Sequence, residues 1–388
     1  MTRPLLNRRL DGLGNSIFGV MSARAVATNS VNLGQGFPDV DGPSGIAEAA
    51  AAAIMAGNGN QYPPATGIPE LRVAVARHQQ RFYGLNYDPE TEVLITAGAT
   101  EAIAAALLAL LEPGDEVIAF EPYYDSYVAN IAMAGGMRVP LTLKAPEFRP
   151  DLAKLESLIT SKTRLLMLNS PHNPTGMVLT RAETEAIARI AIDHDLLVIA
   201  DEAYEHLTFD REHIPLATID GMRGRLVSVG SAGKTFSFTG WKVGWATATP
   251  DLISAVRTTK QFLTYVCSGP FQYAVAEALN LPDGYYTDMA ADLKAKRDLM
   301  AAGLREIGFG VYEPDGTYFI TADISPLGER DAMEFCRGLP DRAGVVAIPS
   351  AVFYDDHPEE GRTLVRFAFC KRPEVLKEAL SRLSVLAR

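Results

Sequence analysis

Ser231-Ala-Gly-Lys-Thr-Phe-Ser-Phe-Thr-Gly-Trp-Lys-Val-Gly-Trp245 is the stretch on which the reading of this chain turns. It follows an apolar run of strand length, 226–229, and leads into another, 243–248. Lys234 stands among small residues, so a ligand can approach its amine closely. Gly233-Lys234-Thr235 also matches the end of the phosphate-binding loop of nucleotide hydrolases. That motif needs a glycine five positions before Gly233, where Ser228 stands, and no helical pattern follows directly. The spacing rules the nucleotide loop out. Taken alone, Lys234 reads as an ordinary turn lysine, and what surrounds it in the chain gives it more weight.

Working outward, apolar runs alternate with helical patterns from about residue 92 to 248, the signature of βαβ units closing a mostly parallel sheet. The expected strands are 93–96, 116–120, 138–143, 165–168, 197–200, 226–229 and 243–248, with helices such as 101–111 and 183–194 between them. A helical stretch from Pro250 to about Ile307, punctuated near 268–270 and 281–284, leads to strand-like segments 311–312, 317–322, 345–348 and 364–369 and a closing helix at 373–386. The expected fold is therefore α/β: a large domain around a seven-stranded, mostly parallel sheet plus a smaller α+β domain. Residues 1–40 form an arm that joins the small domain, 41–280 the large domain and 281–388 the small one.

Composition narrows the function classes. Apolar residues make up 47% and charged residues 21%, as in an ordinary soluble enzyme. The charge sum, 36 minus 47, is −11, and no basic run is dense enough to neutralise a phosphate backbone, so nucleic acid is not an expected partner. The longest apolar stretches, 47–56 and 102–111, are too short to span a membrane, and no secretory h-region follows the basic start. The expected location is the cytoplasm. Cys267, Cys336 and Cys370 are odd in number and lie far apart, which reads as buried free thiols. The six histidines stand singly without metal-ligand spacing, so no structural metal is expected.

Three motifs in order, Asn169-Ser-Pro-His-Asn-Pro-Thr-Gly176, Asp201-Glu-Ala-Tyr204 and 231–245, resemble the fold type I, class I/II pyridoxal-phosphate-dependent aminotransferases. The resemblance runs from Asn32-Leu-Gly-Gln-Gly-Phe-Pro-Asp39 to Val365-Arg-Phe-Ala-Phe-Cys-Lys371. Within that superfamily the chain is similar to the kynurenine and glutamine aminotransferases and to actinobacterial enzymes assigned to N-succinyldiaminopimelate. It implies pyridoxal 5'-phosphate as cofactor, with Lys234 holding it as a Schiff base and moving a proton once displaced by substrate.

The other roles divide between residue chemistry and resemblance. Asp201 ends a buried-strand pattern, where an unpaired carboxylate is costly, so it wants a cation. The resemblance makes that cation the cofactor's ring nitrogen. It places Asn173 and Tyr204 at the phenolic oxygen and Tyr124 against the ring, though singly these read as a turn and as packing residues. For the cofactor phosphate, Ala99 and Thr100 stand where a strand gives way to a helix, and helix N-termini bind anions. Ser231 and Lys242 match the family's other phosphate contacts, Lys242 standing where many relatives have arginine. Tyr62, in Asn60-Gln-Tyr-Pro-Pro-Ala-Thr-Gly67, matches a tyrosine that reaches the neighbouring subunit's phosphate, which implies a homodimer with its active site at the subunit interface. Arg366 lies in an apolar strand pattern and calls for an anionic partner; a substrate α-carboxylate supplies it, with Gly36 letting backbone approach.

The reaction implied is a ping-pong transfer of an amino group between an L-amino acid and a 2-oxo acid such as 2-oxoglutarate. Where kynurenine-type relatives carry aromatics, the chain has Cys267, Ser268 and Thr100, so a strict aromatic preference is not expected. N-succinyl-LL-2,6-diaminopimelate presents distal carboxylates, for which Arg8, Arg9, Arg257 and Lys260 are the available cations. The alternatives are a kynurenine-, glutamine- or methionine-type aminotransferase with β-lyase activity on cysteine S-conjugates and, from another class, a non-catalytic regulator on the same fold. The regulator would need a DNA-binding domain ahead of Asn32.

Overall fold

The computed structural model describes residues 5–13 and 17–387. Its strands are β1 (Val31–Asn32), β2 (Val93–Thr96), β3 (Glu116–Glu121), β4 (Met137–Thr142), β5 (Thr163–Asn169), β6 (Leu197–Asp201) and β7 (Leu226–Ser231). They continue with β8 (Gly244–Thr247), β9 (Gly310–Tyr312), β10 (Phe319–Asp323), β11 (Val345–Val346), β12 (Ile348–Pro349) and β13 (Leu364–Ala368). Seven of them form one sheet in the order β2-β8-β7-β6-β5-β3-β4. Only β8 runs against its neighbours, β2 and β7, so the sheet is mostly parallel.

The central strands read as unbroken apolar runs because both faces are covered. Successive side chains point to opposite sides, and each side feeds a different core. Leu166, Leu168, Val198 and Ala200 enter one core, while Leu165, Met167 and Ile199 enter the other. The first core is closed by the helices Pro69–Tyr83, Arg181–Asp193 and Gly269–Leu279. Gly98–Leu110 and Pro250–Lys260 close the second.

A third core packs around the four-stranded sheet β12-β13-β10-β9. Helices Asp283–Ile307, Ala332–Ala343 and Pro373–Leu383 supply Met300, Leu304, Phe335, Leu339, Leu376 and Leu383 to it. The N-terminal helix Ile17–Ala27 adds Met21 and Ala25, and β1 pairs in parallel with β11. Ala203, Tyr204 and Leu207, just beyond β6, also belong to this core, so the segment that carries Tyr204 ties the two sheets together.

Two expectations need correction. The segment 345–348 is not one strand: Val345–Val346 pairs with β1, then Ile348–Pro349 pairs antiparallel with β13. The change of partner breaks it at Ala347. The 317–322 strand begins instead at Phe319, because Thr317 has a positive φ of 65° that an extended ladder does not accommodate. Among the described residues no helix is long and apolar enough to cross a membrane.

The close approach of β8 to the start of helix Gly98–Leu110 fixes the site described next. A Cβ at Gly244 would lie 2.7 Å from the Gly98 carbonyl carbon and 2.8 Å from the Ala99 nitrogen. Backbone atoms cannot swing aside as a side chain can. Gly244→Ala is expected to cost about 1–3 kcal/mol, read as a lower calorimetric Tm together with weaker cofactor retention. An unchanged Tm would show that the helix start is free to move.

Candidate active site

The carboxyl ends of the parallel strands converge on one cavity, as expected for open α/β sheets. Asn169 ends β5, Asp201 ends β6 and Ser231 ends β7, and all three line it. Gly98, Ala99 and Thr100, where β2 passes into its helix, line it too, with Tyr124, Asn173, Tyr204, Lys234 and Lys242. The cavity therefore brings together nine of the residues expected from sequence for the cofactor: Ala99, Thr100, Tyr124, Asn173, Asp201, Tyr204, Ser231, Lys234 and Lys242.

Asp201 is buried, and its carboxylate has only neutral donors. Tyr127 Oη donates to Oδ2 at 2.5 Å and the Ala203 N–H to Oδ1 at 3.1 Å. Burial raises its pKa; the Tyr127 and Ala203 hydrogen bonds and the Lys234 charge oppose that rise. Its strand end is braced by Asn169, whose Nδ2 donates to the Asp201 carbonyl at 2.8 Å and whose Oδ1 accepts from the Asn173 N–H at 2.7 Å.

Lys234 occupies the short helical turn Ala232–Thr235 that follows β7. Its Nζ lies 5.7 Å from the Tyr204 ring centre and 5.9 Å from that of Tyr318. Burial pulls its pKa down to about 8; the cations Lys242 and Arg366 add to this, while Cys370 and Asp201 act against it. At pH 7 about a tenth of the amine is then in its neutral, nucleophilic form, far more than for an exposed lysine.

The third group of donors suits an anion. Helix Gly98–Leu110 opens into the cavity with its free N–H groups. Lys242 stands against that opening, since a Cβ on Gly98 would lie 3.2 Å from its Nζ. Lys242 has φ 54°, and this left-handed turn brings the residue back onto the cavity. Tyr124 hydrogen-bonds Thr100 and packs edge-on to Tyr127 at 5.7 Å between ring centres.

Arg366 lies on β13 and is only 2% exposed. Its Nη1 donates to Asn173 Oδ1 at 3.0 Å and its Nη2 to the Gly34 carbonyl at 3.1 Å, both neutral acceptors, while Nε has no partner. The guanidinium is stacked 3.9 Å from the Phe319 ring centre, with Phe353 at 4.8 Å and Phe18 at 5.2 Å. Burial lowers its pKa to about 10, so it remains a cation at neutral pH. A buried cation held by neutral acceptors is matched to an incoming carboxylate.

Two expected residues stand differently. Gly36 is demanded by packing: a Cβ there would lie 2.4 Å from Phe319 Cζ, and its carbonyl accepts from Tyr318 Oη at 2.5 Å. Tyr62 does not line the cavity of the single chain; it is 81% exposed, with its ring 5.6 Å from that of Tyr265. Of the four cations considered for distal carboxylates, none lines the cavity. Lys260 is buried and spends its ammonium on the Ala65 and Tyr265 carbonyls, and Arg9 donates to the Met133 carbonyl.

Sequence reasoning missed Tyr127, Tyr318 and the bracing role of Asn169. Tyr127 follows Tyr124 by three residues, one helical turn, which was the available signal. Tyr318 was hidden inside a strand-like apolar run.

The comparisons with known proteins agree with this geometry. A family profile described as aminotransferase class I and II matches residues 28–383. A protein named probable N-succinyldiaminopimelate aminotransferase, from Mycobacterium tuberculosis, is 51% identical over 391 residues and 98% of each chain. Methionine aminotransferase from Escherichia coli is 39% identical over 97% of each chain. The solved structure of N-succinyldiaminopimelate aminotransferase from Mycobacterium tuberculosis aligns with a TM-score of 0.95 at 51% identity, covering 98% of this chain and 100% of that one. The chain belongs to the class I and II aminotransferases, an enzyme family of fold type I whose cofactor is pyridoxal phosphate. The residues present fit that cofactor: a helix N-terminus with Lys242 for a phosphate, a buried carboxylate for a protonated ring nitrogen, and a depressed lysine for an aldehyde.

The depressed lysine is open to measurement. In the cofactor-free protein, acylation of Lys234 by an amine-selective reagent should rise with a midpoint near pH 8, because the ammonium form dominates below it and the neutral amine above it. Exposed lysines should need a pH near ~10.4. Peptide-level mass spectrometry separates them, and a Lys234 midpoint near that of the exposed lysines would contradict the burial effect.

Proposed function

We propose that this aminotransferase acts on N-succinyl-LL-2,6-diaminopimelate with 2-oxoglutarate as the other partner, in a cytoplasmic homodimer whose active site lies at the subunit interface. The observation that carries transfer from an α-amino acid is Arg366, a buried cation whose protein hydrogen bonds go to neutral oxygens. The substrate class is supported by the full-length likeness to the mycobacterial relative.

The roles follow from residue chemistry. The cofactor supplies the electron sink that carries the hard part of the reaction. Arg366 grips the α-carboxylate, with Asn173 fixing the guanidinium. Asp201 would keep a proton on the ring nitrogen, and Tyr127 holds the carboxylate in place. Lys234, as a neutral amine, would take the proton from the substrate α-carbon and hold it at Nζ. Ala99, Thr100, Ser231 and Lys242 would hold the phosphate, Tyr124 would lie against the ring, and Tyr204 would bond the phenolic oxygen.

We further infer that residues 41–280 form the cofactor domain and 281–388, with the arm 1–40, the small domain. The homodimer is supported by the exposed aromatic residues Tyr62 and Phe262, each 81% exposed, together with Met55 at 87%. With Lys260 committed to carbonyls, the second subunit is the natural source of cations for the distal carboxylates.

Half-reaction kinetics test the substrate. N-succinyl-LL-diaminopimelate should give a larger kcat/KM than methionine or kynurenine; a methionine value above it would overturn the assignment. Arg366→Ala should lower kcat/KM for every donor by about 30-fold or more, since truncating one partner of a buried charge pair costs about 2–5 kcal/mol.

A further inference from the structure

Asp201 and Tyr204 face the cofactor cavity, but Glu202, Glu205 and His206, interleaved with them, do not line it. Glu205 and His206 meet His78 on helix Pro69–Tyr83 instead. His78 and Glu205 are buried, and His206 is partly open to solvent. One ligand-capable atom from each of the three lies within 4.8 Å of the other two. The spacing was invisible in sequence because His78 and His206 are 128 residues apart.

We propose that His78, Glu205 and His206 form a binding site for a divalent transition-metal ion of the zinc class, behind the segment that presents Asp201 and Tyr204 to the cofactor.

The chemistry of the cluster carries this beyond proximity. His78 Nε2 and His206 Nε2 are 2.7 Å apart, so one ring must donate its hydrogen to the lone pair of the other. A zinc ion with bonds of about 2.0–2.2 Å holds tetrahedral ligands roughly 3.3 Å apart. The two rings need to open by only about half an ångström to replace that shared hydrogen with an ion. Burial favours neutral imidazoles, the ligating form, and also raises the Glu205 carboxyl to about 8, so binding an ion there has to release that proton. Glu205 has the Tyr83 hydroxyl and the Gln79 amide as partners and, among the described residues, no ion pair. Two imidazoles and a carboxylate are a donor set that zinc accepts, with the remaining position left to water.

The surroundings supply what such a site needs. Gln79 Nε2 lies 3.4 Å from both His78 Nδ1 and Glu205 Oε2. Nearby His213, whose charge acts on His206, is buried with neither ring nitrogen hydrogen-bonded, and its Nε2 lies 3.6 Å from Glu202 Oε1. His213 is thus a buried imidazole that the hydrogen bonds of the region leave unsatisfied. Phe82 and Tyr286 pack on His206 at 4.6 and 4.4 Å between ring centres and limit water. A bound ion would fasten helix Pro69–Tyr83 to the segment carrying Asp201.

The test uses the cofactor-loaded enzyme, stripped with a chelator and dialysed against zinc. One zinc per chain is expected, with anomalous scattering from crystals placing it between His78 and His206. His206→Gln and Glu205→Gln should lose that ion and the rise in Tm that zinc gives the wild-type enzyme. Wild-type protein that retains no zinc, or an anomalous peak elsewhere, overturns the site, as does binding that survives both substitutions. The peak position in wild-type crystals settles the question even where a variant fails to fold.

Discussion

A carboxylate placed at the buried end of a parallel strand has to be matched by positive charge, and the arrangement around Asp201 follows from that requirement. Its two protein donors, Tyr127 and the Ala203 N–H, are neutral. They hold the carboxylate in place without discharging it. Among the described groups the Lys234 charge acts to favour the ionised carboxylate, which leaves room for a further cation. The same burial that makes Asp201 costly without a partner makes Lys234 reluctant to hold its proton. A single dry cavity thus produces both a carboxylate in want of a cation and an amine ready to act as a nucleophile and a base.

Arg366 repeats that logic from the second sheet. It does not line the cavity itself but donates to Asn173, which does, and to the Gly34 carbonyl, with three phenylalanine rings around it. The position of its guanidinium is therefore set by the packing of the smaller core against the larger one. Tyr204 and Leu207 sit in that smaller core although their segment leaves β6 of the large sheet. Movement between the two sheets would change the cofactor and substrate contacts together.

Much of this could be read from the sequence because strands covered on both faces leave an unmistakable apolar trace, as in 165–168 and 197–200. The motif residues Lys234, Asp201 and Asn173 were recognisable by type and order, and the cavity brings them together. What was hidden is what depends on distant pairing. Helix Ala332–Ala343 was not anticipated, since Pro340 sits inside its last turn, although Asp331 caps its start through the Met333 and Glu334 N–H groups. The antiparallel direction of β8 and the change of partner at Ala347 are properties of register, which local pattern does not encode. Tyr127 was not singled out in the sequence, and only the fold shows its hydroxyl on Asp201. The His78–His206 contact was invisible for the same reason.

The most direct measurement is borohydride reduction of the purified, cofactor-loaded enzyme followed by peptide mapping. If Lys234 holds the cofactor, the pyridoxyl mass will be found on the peptide containing Lys234, and Lys234→Ala will carry none. A pyridoxyl group on Lys242 instead, or no stable adduct on either lysine, would contradict the assignment of Lys234 and the proton transfer built on it.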